Sequence, residues 1–143
     1  MEKQVALFIM THGNFGKAAL ESAELIVGKQ TNCAEQSVFL VDNVDELKKQ
    51  VLEKIKTLDT DKGLLILTDI VGGTPTNLAS TLLTDDNVLL ASGLNLPVLL
   101  EVLMNRDKDL QSLKAIILKT YSNGMTIRTY QDLQEDDEDE YSL

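Results

Sequence analysis

The stretch VALFIMTHGNFGKAALESAELIVG, residues 5–28, holds an apolar run, a polar turn and a helical repeat in one line. VALFIM has the length of a strand and does not alternate with polar residues, so it reads as a strand buried on both faces. After the turn, Ala19, Leu20, Ala23, Ile26 and Val27 recur on one helix face, and Gly28 stands where a helix stop is expected. The unit is strand, loop, helix. His12, the only histidine among 143 residues, lies in its loop.

The same alternation continues along the chain. SVFLV (37–41) reads as a second strand, and Asn43 with Glu46 forms a capping box opening a helix striped by Val44, Leu47, Val51, Ile55 and Leu58. GLLILTD is a third buried strand ending at Asp69. IVGGTP follows it, with Pro75 in the first turn of a helix capped by Thr74. NVLLAS (87–92) is a fourth strand, Pro97 opens a helix to about Arg106, and DLQSLKAIILKTYSNG supplies a further helix ending near Gly124. MTIRTYQ (125–131) alternates like an edge strand. Apolar strands alternating with helices imply an α/β, doubly wound, mostly parallel sheet. The expected strand order is 2-1-3-4, with a C-terminal antiparallel edge strand. One domain spans 1–132, and 133–143 is an acidic tail expected to be disordered.

Composition narrows the function. The net charge is −10, six charges of which come from Glu135–Glu140. An acidic chain with 4% aromatic residues lacks both the basic face and the stacking platforms of a nucleic-acid binder. One cysteine, Cys33, forms no internal disulfide and reads as incidental, and no His or Cys pair has metal-ligand spacing. No metal or cofactor is expected. Broken apolar runs and the absence of a signal-like start point to a cytoplasmic protein.

With the order 2-1-3-4, the loops after Met10 and Thr68 meet at the switch point, bringing His12 and Asp69 together. Each alone also fits a plain structural role, as does a glycine-rich turn before a helix. Together they describe a site. A carboxylate on one imidazole nitrogen fixes the tautomer and leaves the other nitrogen as a nucleophile. Gly72, Gly73 and Thr74, with Gly13 across the crevice, offer N–H groups and a hydroxyl at a helix start, where an anion is favoured. Other phosphate chemistries fit less well. The acid pair of a phospho-acceptor receiver is missing after the first strand, and there is no G-x-x-x-x-G-K-[ST], G-x-S-x-G or G-x-G-x-x-G.

FIMTHGNFG, LTDIVGGTPTNLAS and GLNLPVLLEVL stand in the order and spacing of the enzyme IIA components of the mannose family of the bacterial sugar phosphotransferase system, which the chain resembles from about Val5 to Tyr130. The resemblance implies a phosphotransferase working through a phosphohistidine: Nε2 of His12 accepts a phosphoryl group from phospho-HPr and passes it to a IIB partner during sugar uptake. It also implies that Asp69 holds Nδ1, that Thr74 lies near the phosphoryl group, and that membrane IIC and IID subunits are indirect partners. A homodimer is implied, with the last strand swapped onto the partner's sheet. Ile70-Val71 departs from the aromatic residue frequent in the family after the aspartate. The chain is expected to be a IIA domain whose IIB is a separate protein. The phosphocarrier subunit of dihydroxyacetone kinase and a phosphorylation-dependent regulatory binding module are the alternatives. The sugar is not read, because a IIA protein touches only protein partners.

Overall fold

The computed structural model describes residues 3–40 and 43–141, with side chains through Glu135. Ten elements follow one another: β1 (Ala6–His12), α1 (Phe15–Val27), β2 (Cys33–Val38), α2 (Val44–Lys56), β3 (Leu64–Thr68), α3 (Gly73–Ser80), β4 (Val88–Ser92), α4 (Leu96–Met104), α5 (Leu110–Asn123) and α6 (Tyr130–Tyr141). The four strands form a parallel sheet in the order β2-β1-β3-β4, as the apolar strands predict.

Why the central strands are apolar throughout follows from their period of two. Val5, Leu7 and Ile9 point to one face and pack with Leu65, Leu67, α1, α4 and Leu113 of α5. Ala6, Phe8 and Met10 point to the other and pack with Leu64, Ile66, α2 and α3. Both faces are covered, so no position on β1 before Thr11 can be polar without being stranded in the core. Gly16 lets α1 lie close to β1: a Cβ there would stand 2.7 Å from Ile9 Cγ2 and 2.9 Å from Thr11 Cγ2.

Four sequence expectations are corrected. First, β2 occupies Cys33–Val38 rather than 37–41, pairing Leu7 with Cys33 and His12 with Val38. As an edge strand it is half-buried and tolerates Glu35, Gln36 and Ser37; Phe39 and Leu40 leave the sheet exposed, and Val41 lies outside the described residues. Cys33 accordingly opens β2 and packs against the core.

Second, α3 begins at Gly73 with Gly72 as its cap, so Thr74 stands within the first turn and makes no side-chain cap. The positive φ of Gly72 (82°) and Gly73 (79°) turns the chain into the helix without one. Third, α4 ends at Met104, and Arg106 lies beyond it, buried.

Fourth, 125–131 forms no edge strand on the sheet of its own chain. Residues 125–129 form no sheet pairing among the described residues, and a helix starts at Tyr130. The local reason is a capping box: Thr129 N–H donates to Asp132 Oδ2 at 3.0 Å and Asp132 N–H to Thr129 Oγ1 at 3.2 Å. Exposed alternating residues such as Met125 and Ile127 gain as a strand only when laid on a sheet edge, and in the single chain they are not. Helix α6 then runs to Tyr141 through the acidic segment, with Ser142 and Leu143 outside the described residues.

Candidate functional site

The register of the central strands builds the site. Met10 pairs with Thr68, so the chain leaves β1 at His12 and β3 at Asp69 side by side at the carboxyl end of the sheet. Asp69 Oδ2 accepts from the backbone N–H of His12 at 3.0 Å and lies 2.9 Å from its Nδ1. The second oxygen, Oδ1, accepts from Ile70 N–H at 3.1 Å. Asp69 is thereby held on both oxygens.

These contacts settle the charge of Asp69. Burial penalises its carboxylate, but hydrogen bonds from the His12 backbone, the His12 ring and its own backbone outweigh that, and its pKa lies below the ordinary 3.8. An ionised carboxylate only accepts, so Nδ1–H faces Asp69, and in the neutral ring the lone pair is then on Nε2. The Asp69 side chain is 14% exposed and the His12 side chain 47%, which keeps the anchor inside and leaves the imidazole half-open to solvent.

Beside Nε2 stands the start of α3. A Cβ added at Gly73 would lie 3.2 Å from His12 Nε2 and 3.0 Å from Cε1, so only glycine leaves room for a group on that nitrogen. The first N–H groups of a helix have no intrahelical acceptor, and here they lie next to the imidazole. Thr74 shares a groove with His12, Gly13, Val38, Phe39, Leu40 and Val44. Gly13 adopts φ 54° and donates its N–H to Val38 O at 2.7 Å, so that donor is already engaged.

Three features of the site escape a reading by motif. Thr11 is buried, and its hydroxyl accepts the N–H of Gly16 at 2.7 Å, fixing the loop that carries His12. Phe39 and Leu40, which look like strand residues, form an apolar wall of the groove. Thr68, Thr76 and Ser92 bring three hydroxyls together behind Asp69. Only the polar interruptions at the ends of otherwise apolar strands hint at Thr11, Thr68 and Ser92. Among the described residues, no group of three or more His, Cys, Asp or Glu is placed to hold a metal, and no helix is long and apolar enough to cross a membrane.

Comparison with known proteins converges on one family. Residues 6–120 match the EIIA-man family model, described as the PTS system fructose IIA component. The chain is 33% identical over 123 residues to the fructose-specific EIIA component of Bacillus subtilis, covering 82% of this chain and 84% of that protein. It is 34% identical over 124 residues to the mannose-specific EIIAB component of Escherichia coli K12, covering 85% of this chain; it spans only 38% of that relative's length. The crystal structure of phosphotransferase system component EIIA from Streptococcus agalactiae superposes with a TM-score of 0.76 at 29% identity, covering 86% of this chain and 96% of that one. The family match and the shared fold agree, and the chain belongs to the EIIA-man family of phosphotransferase system IIA components.

Proposed function

We propose that this IIA component is a phosphoryl carrier in which His12 Nε2 accepts a phosphoryl group from phospho-HPr and delivers it to a IIB component during sugar uptake. The observation that carries this reading is the pair of contacts on one imidazole: Asp69 Oδ2 at 2.9 Å from Nδ1, and the glycine start of α3 against Nε2. In the first step the Nε2 lone pair forms an N–P bond as the N–P bond to the donor histidine breaks. The imidazole needs no proton transfer, because Nδ1–H stays on Asp69 throughout. Transfer to IIB is the same exchange in the opposite sense.

Phosphoryl transfer demands in-line positioning and a place for charge on the phosphoryl oxygens. The N–H groups of Gly72, Gly73 and Thr74 and the Thr74 hydroxyl are assigned that role, in a region where the helix dipole favours an anion. No cofactor or metal enters the step. The apolar wall of Phe39 and Leu40, and the exposed Ile70 and Val71 in the loop after Asp69, suit a protein partner approaching His12.

The protein is assigned to the cytoplasm, with IIC and IID membrane subunits as indirect partners. A homodimer is also proposed. The outer edge of β4 has no ladder partner among the described residues, and a cleft beside it is lined by Leu89, Ala91, Ile117, Leu118 and Tyr121, the last two exposed. A second copy's 125–129 segment, which precedes α6 and carries exposed Met125 and Ile127, has the alternation to add there. Light scattering tests the assembly: a monomer at all concentrations contradicts it.

The function is tested by intact-mass measurement after incubation with enzyme I, HPr and phosphoenolpyruvate, then with a IIB protein added. One phosphoryl group gained, and lost again to IIB, is expected. A phosphoprotein that never hands the group on contradicts the carrier role.

A further inference from the structure

The loop that carries Asp69 is held from behind by hydroxyls that no transfer step uses. Thr68 closes β3, Ser92 closes β4 and Thr76 lies in α3, so the three side chains join all three elements around the loop. Thr68 Oγ1 donates to Ser92 Oγ at 2.7 Å and lies 2.8 Å from Thr76 Oγ1, which is 3.2 Å from Ser92 Oγ. Among the described residues, the one side-chain bond that leaves this ring is Thr76 Oγ1 donating to the Ile70 carbonyl at 2.5 Å.

That bond reaches the reacting histidine in few steps. The N–H of Ile70 donates to Asp69 Oδ1, and its carbonyl receives Thr76, so the backbone of Ile70 is fixed on both sides. The Ile70 side chain is exposed at 55% and gives the loop little packing of its own. What holds Asp69 in line with His12 is therefore hydrogen bonding, and Thr76 supplies its outer anchor. Thr68 O also accepts from Gly93 N–H and Leu94 N–H, both at 3.0 Å, so the base of the ring is rigid.

We propose that Thr76 is a positioning residue for phosphoryl transfer: through the Ile70 carbonyl it sets the Asp69 carboxylate under His12 Nδ1 and the start of α3 beside Nε2. The proposal rests on the carrier reading for its rate effect, but its effect on the ring is independent of any phosphoryl donor. Thr76→Val keeps the shape of the side chain and removes the donor, whereas Thr76→Ser keeps the donor.

The test combines ¹⁵N NMR of the unphosphorylated His12 ring with the rate of phosphoryl acceptance from phospho-HPr. Thr76→Val is expected to lower the neutral-ring population protonated at Nδ1 and to reduce the maximal rate about tenfold, the scale of one hydrogen bond, with KM for phospho-HPr unchanged. Thr76→Ser is expected to retain both properties. Ser92→Ala, which opens the ring from β4 without touching the loop, gives the same ring signature in weaker form and carries the test should Thr76→Val not fold. Wild-type ring tautomer and rate in the folded variants would overturn the proposal. If wild-type protein accepts no phosphoryl group, the carrier reading fails, while the NMR comparison still decides the role of Thr76.

Discussion

A single oxygen, Asp69 Oδ2, serves two groups of His12, the backbone N–H at 3.0 Å and the ring Nδ1 at 2.9 Å. The carboxylate thus fixes where the residue sits and which ring nitrogen is free. Replacing Asp69 by Ala removes both bonds yet leaves Nε2 in place. Phosphoryl acceptance is expected to slow about 10- to 100-fold, the equivalent of one charged hydrogen bond, without vanishing. A time course of intact mass with phospho-HPr checks this, and an unchanged rate contradicts the orienting role.

The same contacts set an acid limit. The pKa of Asp69 in the folded protein lies below its ordinary 3.8, so its contribution to stability is complete above that value and is lost as pH falls through the folded-state pKa. Urea midpoints measured from about pH 5 down to about pH 2 should fall more steeply for wild type than for Asp69→Asn. Parallel curves would show that the carboxylate gains nothing from His12.

Gly73 and Gly72 provide a paired comparison. Both have positive φ, 79° and 82°, so alanine strains either position. Only at Gly73 does the new methyl meet the ring, 3.2 Å from Nε2; at Gly72 nothing lies within 4 Å. Both variants should lose about 1 kcal/mol of stability. Phosphoryl acceptance should drop by about a further hundredfold in Gly73→Ala alone, because its methyl occupies the space where the N–P bond must form. Equal rates in the two variants would remove Gly73 from the site.

Arg106 is buried at 2% exposure, and among the described residues its guanidinium donates to backbone carbonyls and one amide: Nε to Val5 O at 3.1 Å, one terminal nitrogen to Thr31 O at 2.7 Å and Gln30 Oε1 at 3.3 Å, the other to Asn32 O. It ties the start of β1 to the turn before β2, at the end of the sheet away from His12. Arg106→Met strands these carbonyls and should cost about 3 kcal/mol in urea unfolding, with Lys failing to restore it because it lacks the planar fork. A loss below about 1 kcal/mol would contradict that account.

Cys33 gives a chemical check on the position of β2. Burial pushes its thiol up to about 11, only partly offset by the charge of Arg106, and Glu24 and Glu35 add to the rise. At pH 8 iodoacetamide should modify it slowly in the native protein and quickly in denaturant. The raised pKa also means that its contribution to stability is full below the ordinary 9.0 and fades as pH climbs towards 11. Rapid native labelling would contradict a Cys33 packed against the core at the start of β2.

What the sequence made legible is what period and register control. Residues 5–10 and 64–68 had to be doubly buried strands, and their order alone brought His12 to Asp69. Edge elements were harder, because an edge strand such as Cys33–Val38 needs no apolar pattern, while the apolar Phe39 and Leu40 next to it serve the groove. Residues 125–131 alternate like a strand, but the Thr129 and Asp132 capping box acts at shorter range and starts a helix. The hydroxyls of Thr68, Thr76 and Ser92 lie 24 positions apart at the widest pair, and no spacing rule brings them together.

The proposed carrier of the phosphoryl group is one atom, His12 Nε2. Uniformly ¹⁵N-labelled protein, phosphorylated by phosphoenolpyruvate through enzyme I and HPr, shows by ¹⁵N and ³¹P NMR which nitrogen is bonded to phosphorus. A single phosphohistidine is expected, with phosphorus on Nε2 and the proton retained on Nδ1 facing Asp69. Phosphorus on Nδ1, on any other residue, or undiminished labelling of His12→Ala would contradict it.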